Sequence, residues 1–164
     1  YVLVKRAPSL VVDGGNSFDP FTMSIYCRKL QRDVMEQIFV SRAFTVFQLK
    51  MLITKELPLF IKEKRPSVIV VSYYSYLFHS DDVEEEILTI LHQKLLMHLK
   101  ETVKKYSIPV MVTDHKNSSP LFDCRISFRI KRSTFLLSID GNTLYFPLIP
   151  ADQKTLDFWR GHRG

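Results

Sequence analysis

The sequence predicts an α/β fold with a mainly parallel sheet flanked by helices and an antiparallel hairpin region at its carboxyl end. Short apolar runs alternate with helical patterns through the first two thirds of the chain, which is typical of β-α units. The central run, residues 67–73, is apolar on both faces, as expected of a covered parallel strand. From Cys124 onward, strict alternation indicates half-exposed antiparallel strands.

Length and composition indicate one globular domain. The 164 residues are 46% hydrophobic, enough for a substantial core, and we assign a single domain over residues 1–164 with a tail at residues 148–164. No apolar run approaches the roughly 18 residues needed to cross a bilayer, so we expect a cytoplasmic protein without membrane contact. Cys27 and Cys124 have no ligand-type neighbours, which predicts neither a zinc site nor a disulfide, and we expect no cofactor.

The parallel sheet and its helices can be placed from local patterns. Four apolar runs predict its strands: residues 9–12, 38–42, 67–73 and 108–113. Asp19 is a suitable N-cap with Pro20 at the first helical position, which predicts a helix to about residue 32. A second helix starts near Phe47, and Pro58 is expected to kink or split it before residue 64.

The most regular helix is predicted to follow residue 82. Asp81 or Asp82 can cap it, and the three glutamates that come next favour the positive end of its dipole. Spacing near 3.6 residues predicts the stripe that it buries: Val83, Ile87, Ile90, Leu91, Leu95, Leu99 and Val103.

The carboxyl third predicts three antiparallel strands. Apolar residues at 126, 128 and 130 alternate with Arg125, Ser127, Arg129 and Lys131. Two more strands are predicted at residues 134–139 and 143–146. The turn between them, Asp140-Gly141-Asn142, is a strong hairpin signal.

The order of these elements, together with several short segments, resembles the RecA, RadA and KaiC group of ATPase cores. The resemblance covers about residues 9–147 and implies a RecA-like core. Five segments carry it: LVVDGGNSFDP at 10–20, similar to a strand ending in an acidic pair before a Phe-x-Pro helix start; IFVSRAF at 38–44; the Walker B-like strand and turn at 67–78; the helix beginning QKL at 93–103; and PVMVTDH at 109–115, similar to a strand ending V-x-V-T-N-Q.

The positions that would hold phosphate, magnesium and the attacking water in that family are changed or missing here, apart from one acidic residue. Only eight residues precede the first strand and none is glycine, so we expect no P-loop. Asp13 matches the acidic pair, but Gly15 stands where its second carboxylate is expected. Ser72 replaces the Walker B carboxylate that would help to hold magnesium, and His115 replaces a glutamine sensor. Because phosphoryl transfer depends on positioning and charge neutralisation, we expect no ATP hydrolysis and no enzyme.

These losses predict a catalytically inactive RecA-like protein that acts as a protein-interaction module, an accessory to recombination or repair in an archaeal cell. The helix that follows a P-loop normally covers part of one sheet face. Its loss would leave apolar sheet surface facing water. A partner protein or peptide, a second copy of the chain, or an active RecA-like relative would then cover that surface.

A first alternative is salt-sensitive binding of single-stranded nucleic acid. Tyr74 and Tyr76 follow the central strand and could stack on bases, while a core position explains such tyrosines equally well. The net charge of +6 suits a polyanion. Phosphate contacts would come from the polar face of the first antiparallel strand, although a solvated face explains the same residues: Arg125, Arg129, Lys131 and Arg132.

A second alternative is a small-molecule enzyme that uses the carboxyl end of the parallel sheet. Ligands bind there in open α/β folds, and His115 beside Asp114 could act as an acid or base. Since no nucleophile or partner group is identified, a surface loop histidine is the competing interpretation.

Overall fold

The structure is a computed structural model that describes residues 1–79, 83–114, 121–131 and 134–147. The chain divides into two compact units, Tyr1–Leu121 and Phe122–Gly164. Two compact units can belong to one domain, so the single-domain assignment stays a prediction. In the part of the chain that is described, no helix combines the length and the apolar character needed to cross a bilayer.

The first unit contains a four-stranded parallel sheet with the order β2-β1-β3-β4. Its strands are β1 (Ser9–Asp13), β2 (Ile38–Arg42), β3 (Val68–Ser72) and β4 (Val110–Val112). The bounds of all four lie within two residues of the predicted ones. The mixed α/β fold with a parallel sheet is therefore confirmed, whereas its RecA-like identity stays a prediction.

Within the described residues, five α-helices accompany this sheet. They are α1 (Val2–Lys5), α2 (Pro20–Lys29), α3 (Val46–Met51), α4 (Leu57–Lys64) and α5 (Glu85–Tyr106). Asp19 caps α2 as predicted, because its side chain accepts from the amides of Phe21 and Thr22. The interruption expected at Pro58 takes the form of a π-helical segment, Leu52–Glu56, and Pro58 itself lies in the first turn of α4, where its missing N–H costs little.

Two predictions about α5 are wrong. Its N-cap is Glu84, not Asp81 or Asp82, and those two aspartates lie outside the described residues. Ile87 and Ile90, which we placed in the buried stripe, are exposed. At 100° per residue, a helix that buries Leu88 turns the residues one before and two after it away from the core. The buried positions are Leu88, Leu95, Leu96, Leu99 and Thr102.

Successive residues of each strand pack on opposite faces of the sheet. On one face, Leu10 and Val12 of β1 and Ile69 and Val71 of β3 form the main core with α3, α4 and α5. On the other face, Val11 belongs to a smaller cluster with α1 and α2. The strand register places Val70 and Met111 on this second face beside Val11. The side chains become more exposed in that direction: Val70 is half-buried and Met111 is 41% exposed.

The second unit is a separate antiparallel sheet with the order β5-β6-β7. Its strands are β5 (Ile126–Lys131), β6 (Thr134–Ile139) and β7 (Asn142–Pro147). Asp140 and Gly141 have positive φ angles of 47° and 91°, the conformation that a two-residue hairpin turn requires. The antiparallel carboxyl-terminal region is therefore confirmed.

Candidate functional site

Asp13 is the last residue of β1 and is completely buried. The parallel register brings Arg42 of β2 and Ser72 of β3 to its level. Oδ1 accepts from Ser72 Oγ at 2.8 Å and from the amide and hydroxyl of Ser17 at 3.0 and 3.1 Å, and the Gly15 amide lies 3.3 Å away. Oδ2 accepts from the Phe18 amide at 2.9 Å and lies 3.5 Å from Arg42 Nε.

These contacts keep Asp13 ionised and occupied. Burial raises the pKa of its carboxyl group, but the hydrogen bonds from Phe18, Ser17 and Ser72 outweigh burial and hold the pKa below its ordinary value. A carboxylate has about four lone-pair sites, and internal donors use those of both oxygens. The arrangement therefore binds the chain's own loop, and both oxygens of Asp13 already accept internal hydrogen bonds.

The turn after Asp13 is filled by Tyr73. A Cβ atom added to Gly15 would lie 2.6 Å from Tyr73 Cβ and 2.7 Å from its Cγ, closer than any real contact. At Gly14, the amide donates to the Ser72 carbonyl at 3.0 Å. In the resembled family a carboxylate is expected at residue 15. Here Tyr73 occupies the space that any side chain at this position would need.

Arg42 of β2 also contacts the loop that follows Asp13. Its Nη2 donates to the Phe18 carbonyl at 2.7 Å while its Nε faces Asp13. Ser17 and Arg42 were not among the predicted site residues. The only available signal was the position of Arg42 at the end of a strand, and its partner depends on strand register.

The segment after β3 is bonded to the end of β4. The Tyr73 amide donates to Thr113 Oγ1 at 3.2 Å, and Ser75 Oγ donates to Asp114 Oδ1. His115, the residue on which the enzyme alternative depends, lies outside the described residues, so that alternative stays a prediction. Within the described ranges, no group of three or more His, Cys, Asp or Glu side chains is arranged to hold a metal ion.

Tyr74 is not a base-stacking residue, and its place among the nucleic-acid candidates is wrong. The side chain is 1% exposed, its hydroxyl donates to the His92 carbonyl at 2.6 Å, and its ring lies 5.3 Å from that of Phe78. Burial raises the pKa of the Tyr74 hydroxyl. A ring packed in this way has no free face for a base. Tyr76, at 61% exposure, keeps an accessible ring.

The basic residues of β5 lie on the polar face of the second sheet. Arg129 pairs with Leu136, which pairs with Tyr145, so these three form one row across the strands. Lys131 is two residues from Arg129 and lies on the same face. Tyr145 is 68% exposed and was not predicted as a site residue, because cross-strand register is not visible in the sequence. Arg125 precedes β5, and Arg132 lies outside the described residues.

The opposite face of this sheet is apolar, and we call it the apolar face. Its apolar members, from all three strands, are Ile126, Phe128, Ile130, Phe135, Leu137, Ile139, Leu144 and Phe146, and the uncharged Asn142 lies opposite Ile139 at its edge. Phe128 and Ile130 are each 67% exposed, while the central Phe135 and Leu137 are half-buried by their neighbours. The ring of Phe135 lies 5.8 Å from that of Phe128 and 6.1 Å from that of Phe146.

Comparison with known proteins assigns no family. The sequence matches no protein-family model and no curated protein. The described residues offer two candidate features for function, the buried polar cluster around Asp13 and the apolar face.

Proposed function

We propose that this protein is a catalytically inactive RecA-like protein that acts as a protein-interaction module, an accessory to recombination or repair. The observation that carries the proposal is the apolar face, which belongs to the second sheet and not to the parallel sheet on which exposed apolar surface was expected. Contiguous exposed apolar surface on this scale marks an interaction site in soluble proteins. Each of its described positions is uncharged, which suits an apolar partner surface.

The polar cluster supports the inactive part of the proposal. Magnesium requires carboxylate or other hard oxygen ligands that are free to bind it. Here the Ser72 hydroxyl donates to Asp13, the oxygens of Asp13 accept from the loop, and Tyr73 blocks a side chain at Gly15. The end of the sheet is thus organised for stability.

A stability measurement tests whether the apolar face is free for a partner. We expect Phe128→Asp to lower the free energy of unfolding by no more than about 1.5 kcal/mol in the dissociated chain, because the side chain is 67% exposed and loses mainly strand propensity and its contact with Phe135. Urea unfolding is measured at concentrations where light scattering shows a monomer. Arg129→Asp, one residue further on the polar face, is the matched control.

Two results would contradict the proposal. A loss of about 3 kcal/mol or more for Phe128→Asp in the monomer would show that the chain itself buries this face. Phosphate release from Mg-ATP by the purified protein, above the rate of a buffer blank, would remove the inactive part.

A second candidate function, binding of single-stranded nucleic acid, is favoured by the row that joins Arg129 to Tyr145. Aromatic stacking is worth about 1–3 kcal/mol per base, and phosphate contacts weaken with salt. We expect Tyr145→Ala and Arg129→Ala each to weaken binding of an oligo-dT strand by roughly tenfold. Phe128→Ala, on the opposite face, should leave affinity unchanged. Fluorescence anisotropy across a salt series measures this, and the absence of binding at low salt would eliminate the candidate.

A further inference from the structure

We propose that the partner of the apolar face is the same face of a second copy of this chain, so that two three-stranded sheets pack into a sandwich. This inference rests on the proposed function and names its partner. The half-buried centre of the face, Phe135 and Leu137, would become the centre of the interface. The more exposed side chains around it would meet their counterparts.

The area of the face suits such an interface. Six of its members are 38% to 67% exposed: Ile126, Phe128, Ile130, Ile139, Leu144 and Phe146. If each of the two phenylalanines offers roughly 150–250 Å² and each of the four aliphatic residues about the lower part of that range, these six leave on the order of 600 Å² exposed per copy. Two copies would bury about 1,200 Å², the lower limit for a specific and stable interface.

The chemistry of the face also favours a copy of itself over a charged peptide. A two-fold interface places each patch against the same patch, so it must be self-complementary. Every described position here is uncharged, and pairing two such faces opposes no like charges. Arg129 and Lys131 project from the other side of the sheet, where the charge of a second copy would not meet them. Stacked sheets about 10 Å apart would let the three phenylalanine rings interleave with aliphatic side chains.

The test is the mass of the full chain in solution. We expect light scattering to show about twice the 19.2 kDa monomer mass at high protein concentration, falling to the monomer on dilution. Phe128→Asp should raise the dissociation constant by roughly thirtyfold or more, because it places a charge at the interface. Ile130→Lys should act in the same way. Arg129→Asp, on the opposite face, should leave the dimer intact, and circular dichroism confirms that each variant is folded.

The outcomes separate this inference from the proposed function. A wild-type dimer that Phe128→Asp and Ile130→Lys dissociate supports both. A strict monomer in which Phe128→Asp lowers the free energy of unfolding no more than Arg129→Asp does overturns the second copy but leaves a free face for another protein. A strict monomer that Phe128→Asp destabilises far more than Arg129→Asp does overturns both, since the chain then covers its own face. A dimer that neither variant weakens overturns the inference, because the contact lies elsewhere.

Discussion

Replacing Asp13 by asparagine is expected to lower the free energy of unfolding by about 3 kcal/mol. The carboxylate is completely buried and accepts from Ser17, Phe18 and Ser72. An amide would remove the charge that these donors stabilise and would turn an NH₂ group toward some of them. Because the donors come from the loop after β1 and from β3, the loop should loosen along with the end of the sheet.

Urea unfolding at neutral pH measures this loss, and Asp19→Asn is the matched control. Asp19 is an exposed N-cap, and asparagine caps a helix as well as aspartate does, so little change is expected there. Equal stability of Asp13→Asn and the wild type would contradict the structural role. Added magnesium chloride should not stabilise the wild-type protein, whereas a magnesium ligand at Asp13 would produce such stabilisation.

The difference in stability between the wild type and Asp13→Asn should depend on pH, because the pKa of Asp13 is lowered in the folded protein. Since the folded pKa lies below the ordinary value, the unfolded chain binds a proton first as pH falls. The stability that Asp13 contributes is therefore fully present above about pH 4 and is lost as pH falls through the folded pKa. The difference between wild type and Asp13→Asn should shrink in that acidic range, and a difference that stays constant would argue against an ionised Asp13.

Placing a carboxylate at residue 15 by Gly15→Asp, as the resemblance would require, is expected to destabilise the protein by about 2 kcal/mol or more without creating ATPase activity. The new Cβ would lie 2.6 Å from Tyr73 Cβ, so either the tyrosine or the turn must move. The expected loss is caused by a steric clash, because Tyr73 lies too close to residue 15 for any side chain there. Thermal unfolding and phosphate release from Mg-ATP measure the two effects.

Asn16→Asp is the matched control, because it adds the same carboxylate at the next, exposed position. Asn16 has a φ of 49°, a region that aspartate tolerates, so only a small change is expected. Tyr73→Gly should partly rescue Gly15→Asp, since it empties the space and suits the φ of 51° at residue 73. Additive losses in the double variant would show that the two side chains do not compete for one space.

Local patterns predicted the elements well. Residues 38–42 and 134–139 were predicted as strands with the bounds that the structure shows, and the cap at Asp19 and the turn at Asp140 were both identified. Each of these depends on a few consecutive residues. The exposed Ile87 and Ile90 were misplaced because several stripes fit a helix of this composition, and only packing against the sheet selects one.

The candidate site was predicted in its members but not in its contacts. Asp13, Gly15 and Ser72 were singled out from the sequence, yet Ser17, Arg42 and Tyr73, which decide what these residues do, were not. Tyr74 and Tyr76 look alike in the sequence, but one is buried against His92 and the other is exposed. Both lie in a 3-10 turn, Tyr74–Phe78, where residues two apart point in different directions, and the periodicity of the sequence did not predict this turn.

Residue order alone was enough to predict an α/β chain with a parallel sheet and an antiparallel end, because propensity, capping and alternation act over a few neighbouring residues. The tertiary structure was needed to show that Asp13 accepts hydrogen bonds from its own loop and that three strands together form one uncharged apolar face. Both results depend on strand register. Register is set by packing between residues far apart in the chain, and a one-residue slip would exchange the two faces of the second sheet.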